Sequence, residues 1–155
     1  MSHTECVSLL GRNNIGRLGC SYMHQPYITP VHFAYDGGHI YSFSIFGQKI
    51  SWMRENNLVC LQVEELKSSQ EWSTILATGK FEELGDSPAP QNLRRHAYDL
   101  LSKRAMWWEP ASARVIRAAP DRPNEIVYFR IIIEKISGRM AVRDQPTAMR
   151  RAPRK

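Results

Sequence analysis

Residues 26–45, PYITPVHFAYDGGHIYSFSI, constrain the fold of this chain more than any other stretch. Two runs rich in β-branched and aromatic residues flank Asp36-Gly37-Gly38, where glycine permits the positive φ that a tight hairpin turn needs. The pattern predicts two antiparallel strands, Pro26 to Tyr35 and His39 to Ile45. Pro30 interrupts the first. It has no N–H to give to a sheet ladder, so it demands an edge, a bulge, or an approach by something other than a neighbouring strand.

Four further strands read from composition and alternation: residues 14–22, 58–66, 71–84 and 126–142. Gly79 marks a bend or bulge within the fifth of the six in sequence, 71–84. The last is apolar on both faces over much of its length, so one face meets the core and the other a helix or a second subunit. Three helices are expected. SHTECVSLLGRN opens on Ser2 or Thr4 as cap, buries Cys6, Val7, Leu9 and Leu10, and stops at Gly11. A short helix runs from Gln48 to about Glu55. A longer one is opened by Ser87 and Pro88, with Leu93, Ala97, Leu100 and Leu101 on one face. Residues 106–125 read as irregular and proline-rich. The sum is a mainly β fold: a closed six-stranded antiparallel barrel with helices packed outside, in a form that favours a dimer.

The 155 residues suit one domain over 1–142, followed by a basic tail over 143–155. That tail holds Arg143, Arg150, Arg151, Arg154 and Lys155 against Asp144 alone. It therefore carries +4 of the net +6 and leaves the body at only +2. Nucleic-acid binding is expected, if anywhere, only through the tail. No stretch is long and apolar enough for a membrane span, and the amino terminus lacks the basic start and apolar core of a secretion signal, so a cytoplasmic protein is expected. Cys6, Cys20 and Cys60 are too widely spaced for a disulfide framework and read as reduced, mostly buried thiols. The five histidines form no metal-binding motif, and no metal site is expected.

At Ile45 the period changes from strand to helix, and Gly47, Gln48 and Lys49 stand at the join. The first N–H groups of a helix lack intrahelical partners, and the peptide dipoles make that end partly positive. Gly47 lets the backbone come close to a bound group, Gln48 offers an amide, and Lys49 adds a charge and three donors. Ser42 and Ser44 alternate on the strand leading in, with their hydroxyls on one side. Together these groups resemble a seat for a phosphate monoester. A lysine in a first helical turn is also commonly just solvated, and alternating serines are commonly an exposed face; the join alone leaves both readings open.

The residues ECVSLLGRNNIGRLGC, PYITPVHFAYDGGHIYSFSIFGQKISWMRENNLVCLQVEEL and WSTILATGKFEEL, in that order, resemble the pyridoxamine 5′-phosphate oxidase-like family of FMN-binding split barrels, nearest its nitroimidazole-resistance branch. The resemblance covers roughly Glu5 to Leu84 and, more loosely, the last strand. It implies FMN at the interface of a homodimer. Pro30, Val31 and His32 would run along the isoalloxazine ring largely through backbone. Ser42, Phe43 and Ser44 would lie beside the ribityl chain and phosphate, Gln48 and Lys49 would hold the phosphate, and Trp72 and Ser73 would approach the cofactor from the strand beyond. Many relatives carry arginine where this chain has Gln48, which removes one charge-assisted contact.

The implied activity is an FMN-dependent oxidoreductase that takes electrons from NAD(P)H and reduces a small planar acceptor of nitroaromatic or quinone type. The alternative is a flavin-binding protein without turnover, a carrier, sensor or store; another flat cofactor, deazaflavin or haem, is a related possibility. Oxidation of pyridoxamine 5′-phosphate itself is not expected, because the arginine-bearing carboxy-terminal segment of true oxidases has no match in GRMAVRDQPTAMRRAPRK. His32 could donate a proton or be a structural strand histidine, and Trp107 and Trp108 could cover the ring or pack in the core. No catalytic side chain is named, since flavin itself carries the redox step.

Overall fold

In a computed structural model of the chain, residues 1–85, 92–104 and 126–142 are described. Helix α1 (His3–Arg12) begins with a capping box: the Ser2 hydroxyl accepts from the Glu5 N–H, and the Glu5 carboxylate accepts from the Ser2 N–H at 2.6 Å. Cys6, Leu9 and Leu10 are buried beneath it. Gly11 does not stop the helix, which continues through Arg12. A glycine stop works by turning left-handed, whereas here the chain leaves from Asn13 in extended geometry, and the Asn13 side-chain amide satisfies the Leu9 carbonyl at 2.8 Å.

Strand β1 (Ile15–Tyr22) turns at Met23 and His24, both at positive φ, into β2 (Gln25–Asp36). Gly37 and Gly38, at φ 55° and 82°, make the expected hairpin to β3 (His39–Ile45). Helix α2 (Gln48–Glu55) leads to β4 (Leu58–Ser68) and β5 (Glu71–Glu83); α3 (Leu93–Ser102) and β6 (Ile126–Ala141) follow. The six strands close into a barrel in the order β1-β2-β3-β6-β5-β4, every pairing antiparallel. Ser87, Pro88, Trp107, Trp108 and the basic tail lie outside the described residues.

The barrel is split where two neighbours part. Strand β2 pairs with β1 along its whole length, Ile15 opposite His32 through Tyr22 opposite Gln25. With β3 it pairs only from Phe33 opposite Ser42 to Asp36 opposite His39. Among the described residues, the stretch from Gln25 to His32 therefore has a strand on one side only. Pro30 sits within it, opposite Arg17, which is the edge setting that its missing N–H requires.

Inside the barrel, Leu18, Val31, Phe33, Ile40, Leu61, Val63, Ile75, Ala77, Phe129 and Ile131 form one apolar core. Helix α2 contributes Ile50 and Met53 to it and packs on β1, while α1 adds Leu9 and Leu10 and packs on β2 and β6. The bidentate pair of Arg54 with Glu83, at 2.8 and 2.9 Å, ties α2 to the end of β5. A second cluster lies outside the barrel, where Ala97 and Leu101 of α3 meet Ala34, Tyr41 and Leu84. His96 of α3 also reaches Asp36 at 3.0 Å. One part of the outer face of β6, around Tyr128, thus meets a helix; Ile132 farther along is exposed.

Gly79 marks a bulge, as its place in the strand suggested. The β5–β6 register shifts between Thr78 and Gly79, and a Cβ at 79 would lie 2.0 Å from the Ile132 carbonyl oxygen. The three thiols are free, with Cys6 and Cys20 buried. Cys60 is not core, as the sequence had suggested. Val59, Leu61 and Val63 face inward, so strand alternation turns Cys60 outward and leaves it half-exposed.

Candidate functional site

At the end of β3, Gly47 is the residue before α2, in extended geometry and without a side-chain cap on the helix. A Cβ there would meet the Ile45 carbonyl oxygen at 4.0 Å and, among the described residues, nothing nearer, so the approach to the helix start is uncovered. The Ser51 N–H donates to the Gly47 carbonyl at 3.0 Å as the first intrahelical bond. The N–H groups before it have no acceptor within the helix, and the first turn contains no acidic residue.

Gln48 is exposed and Lys49 half-buried. Burial pushes the Lys49 ammonium below the usual lysine range, an effect partly offset by the nearby Cys20 thiol. Burial likewise pushes the Cys20 thiol up, against the opposing pull of Lys49. Among the described residues no carboxylate forms an ion pair with Lys49. A cation held partly out of water without an anion is a setting that rewards the arrival of one. Cys20 of β1 reads from the sequence only as a buried thiol, and no local pattern links it to Lys49.

Ser42 and Ser44 do share a side, and that side is the barrel interior. The Ser42 hydroxyl, fully buried, donates to the His32 carbonyl at 2.6 Å; the Ser44 hydroxyl donates to the Ile45 carbonyl at 2.9 Å. Both are engaged with main chain. Phe43 points outward between two other rings, 6.2 Å from His32 and 5.8 Å from Tyr128.

Val31 faces the core, Pro30 is exposed, and the His32 side chain is only 2% exposed on the outer face of β2. Burial, helped by the positive charge of Arg104, pushes the His32 imidazole down to about 4. Arg104 is itself held in place, donating to the carbonyls of Asn13 and Gly11 at 2.9 Å each. His32 is consequently neutral at physiological pH and not poised to give up a proton. Arg104, far along the chain, carries no sequence signal for this role.

The end of β3 leads directly into α2, and Trp52 of α2 meets Tyr27 of the open stretch of β2 edge-on at 5.8 Å. Trp72 and Ser73 do not join them. They begin β5, opposite Leu66 and Glu65 of β4 and opposite Ala141 and Met140 of β6. The end of β5 near α2 is the other one, where the Phe81 N–H donates to the Asn57 carbonyl. Among the described residues no three His, Cys, Asp or Glu side chains converge as metal ligands, and no helix is long and apolar enough to cross a membrane.

A split barrel of this order, with an uncapped helix start following β3, defines a class of protein that comparison with known proteins makes specific. The chain belongs to the pyridoxamine 5′-phosphate oxidase family, whose family model matches residues 2–140. It is 35% identical over 141 residues to an uncharacterised protein of Rhizobium meliloti, covering 91% of this chain and 93% of that one. A crystal structure of a FAD-binding protein of Mesorhizobium loti is 40% identical, with a TM-score of 0.75, over 92% of this chain and 96% of that one. A candidate 5-nitroimidazole antibiotic resistance protein of Bacteroides thetaiotaomicron shares the fold at 18% identity, with a TM-score of 0.63 over 88% and 82% of the two chains.

The residues present fit a flavin phosphate. An uncovered helix start and a half-buried lysine without a carboxylate partner among the described residues are the donors such a group needs. The open edge of β2 beside them offers main chain to a flat ring.

Proposed function

We propose that this chain is a flavin-dependent oxidoreductase that holds the FMN moiety across a homodimer interface and moves electrons from NAD(P)H to a small planar acceptor of nitroaromatic or quinone type. The observation that carries the binding half of this reading is Lys49, half-buried at the uncapped start of α2 with no carboxylate partner among the described residues. The phosphate accepts from the first N–H groups of α2 and from Lys49, with Gln48 adding a neutral donor. The ring lies along the open edge at Pro30, Val31 and His32, contacting main chain, while Phe43 flanks the ribityl chain. Ser42 and Ser44 act from behind by holding the main chain of the split in shape.

Trp72 and Ser73 serve the site of the second subunit, because in their own chain they begin β5 at the end away from α2. Bound flavin supplies the hydride chemistry. The chain binds it, orients it and limits water at the ring. The free, reduced thiols are consistent with a cytoplasmic setting.

A second reading, flavin binding without turnover, is favoured by one observation: His32, the histidine nearest the proposed ring, is held neutral and buried. Two measurements test both readings. Visible absorbance and flavin titration of the purified protein should show a bound flavin that Lys49→Ala weakens without unfolding the chain. Steady-state consumption of NAD(P)H with a panel of nitroaromatics and quinones should show turnover; flavin retained with no turnover leaves the second reading.

A further inference from the structure

Arg104 follows the last turn of α3 and is half-buried. Its own N–H donates to the Leu101 carbonyl at 3.1 Å, and Leu101 is buried in the cluster that α3 forms with Ala34 of β2 and Tyr41 of β3. The main chain that carries the guanidinium is thus anchored on the sheet. From there Nη1 donates to the Asn13 carbonyl and Nη2 to the Gly11 carbonyl, each at 2.9 Å. These carbonyls stand at the end of α1, where helix geometry supplies them no N–H and the peptide dipoles are partly negative. A planar fork that meets two of them at once fixes direction as well as distance. A lysine ammonium, a point charge on a flexible stem, would not.

The turn that Arg104 grips is held on two other sides. Arg12 makes a bidentate pair with Glu65 of β4 at 2.7 and 2.8 Å, and the Asn13 amide donates to the same carboxylate at 2.7 Å. On the side of β2, the Asn14 carbonyl accepts from the Phe33 N–H at 2.9 Å. Phe33 forms the last rung between β2 and β3, and the open edge begins at His32 beside it. Two ties therefore meet where the edge starts. The Ser42 hydroxyl holds the His32 carbonyl from within the barrel, while the turn backed by Arg104 holds Phe33 from the α1 side. The buried His32 ring also lies within the electrostatic reach of the Arg104 charge.

We propose that Arg104 is a positioning residue for the flavin site: by bridging the end of α3 to the turn between α1 and β1, it fixes the start of the open β2 edge along which the ring lies. The inference rests on the flavin reading above and gives it a residue that acts through Asn14, Phe33 and His32. An edge already ordered binds a flat ring without the loss of freedom that a loose edge suffers.

Amide hydrogen exchange and imidazole titration by NMR on the full-length apoprotein, with FMN titration alongside, test it in Arg104→Met and Arg104→Lys. In Arg104→Met the Phe33 amide should exchange about tenfold or more faster, while amides in the middle of β4 and β5 keep their wild-type rates. His32 should titrate at higher pH, and FMN should bind about tenfold more weakly. Arg104→Lys keeps the charge and loses the fork. Its His32 titration should stay near wild type, whereas Phe33 exchange and FMN affinity should follow Arg104→Met. A folded Arg104→Met protein that binds FMN as the wild type does, or that loses affinity with Phe33 exchange unchanged, would overturn the inference and leave the flavin reading intact. If Arg104→Met does not fold, the same two measurements on Arg104→Lys decide by the same criteria. Wild-type protein that binds no FMN would overturn the flavin reading and this inference together.

Discussion

The Ser42 hydroxyl donates a 2.6 Å hydrogen bond to the carbonyl of His32, one residue beyond the last rung that joins β2 to β3. A side chain thus takes over where main-chain pairing ends, and the edge carrying Pro30 is held at a set distance from the end of β3. Ser42→Ala removes that buried donor and should cost about 1–3 kcal/mol, read as a lower urea midpoint with an unchanged slope. It should also weaken flavin binding, because the edge loses its tether.

Lys49 couples the site to pH. Its folded pKa lies below the usual lysine value of 10.5, so between the two the unfolded chain binds more protons. The apoprotein should therefore gain stability as pH rises through that window, and Lys49→Met should abolish the gain. A bound phosphate favours the charged amine, so flavin affinity should fall over the same pH range in wild type and stay flat in Lys49→Met. Parallel pH profiles for the two proteins would remove Lys49 from the site.

His32 acts at the acidic end. Its imidazole titrates near 4 in the folded chain against an ordinary value of 6.5. The unfolded chain takes up the proton first, so stability present above about 6.5 is lost as pH falls toward 4, by up to roughly 3 kcal/mol. Urea midpoints measured across that range should converge for wild type and His32→Gln as the pH drops. Midpoints a constant distance apart would show that the histidine carries no such load.

Gly79 is required by shape. A Cβ there would sit 2.0 Å from the Ile132 carbonyl oxygen, and backbone cannot retreat as a flexible side chain can. Gly79→Ala should lower stability by about 3 kcal/mol or more, at the upper end of overpacking costs, seen as a reduced melting temperature. Gly11→Ala makes a control, since a Cβ there meets nothing within 4 Å, and should be neutral or slightly stabilising within its helix.

The placement of Trp72 at the start of β5, away from α2, yields a mixing experiment. If Trp72 completes the site of the second subunit, Trp72→Ala and Lys49→Ala proteins should each hold flavin poorly. Mixed dimers of the two should regain one intact site, about half of the wild-type flavin content across the mixed species. No recovery on mixing would place Trp72 outside the site.

Much of the architecture was readable along the chain because it is local. Ser2 and Glu5 announce the start of α1, Gly37 and Gly38 the hairpin, and the change of period at Gly47 the start of α2; each works through neighbours a few residues apart. Gly11 misled for the same reason. A glycine marks a helix end only when the chain leaves left-handed, and the path into β1 does not.

By itself, then, the sequence determined the six strands, the short helices and the strand-to-helix join at Gly47 to Lys49, since propensity, capping and alternation act within a few residues. Only the tertiary structure decided that β3 lies beside β6, that Ser42 and Ser44 face inward and Cys60 outward, that burial, helped by Arg104, depresses His32, and that Trp72 and Ser73 stand apart from Lys49. A period of two divides a strand into two faces without saying which one is buried. That choice, like closure of the barrel, follows from burying one shared core among residues distant in the chain.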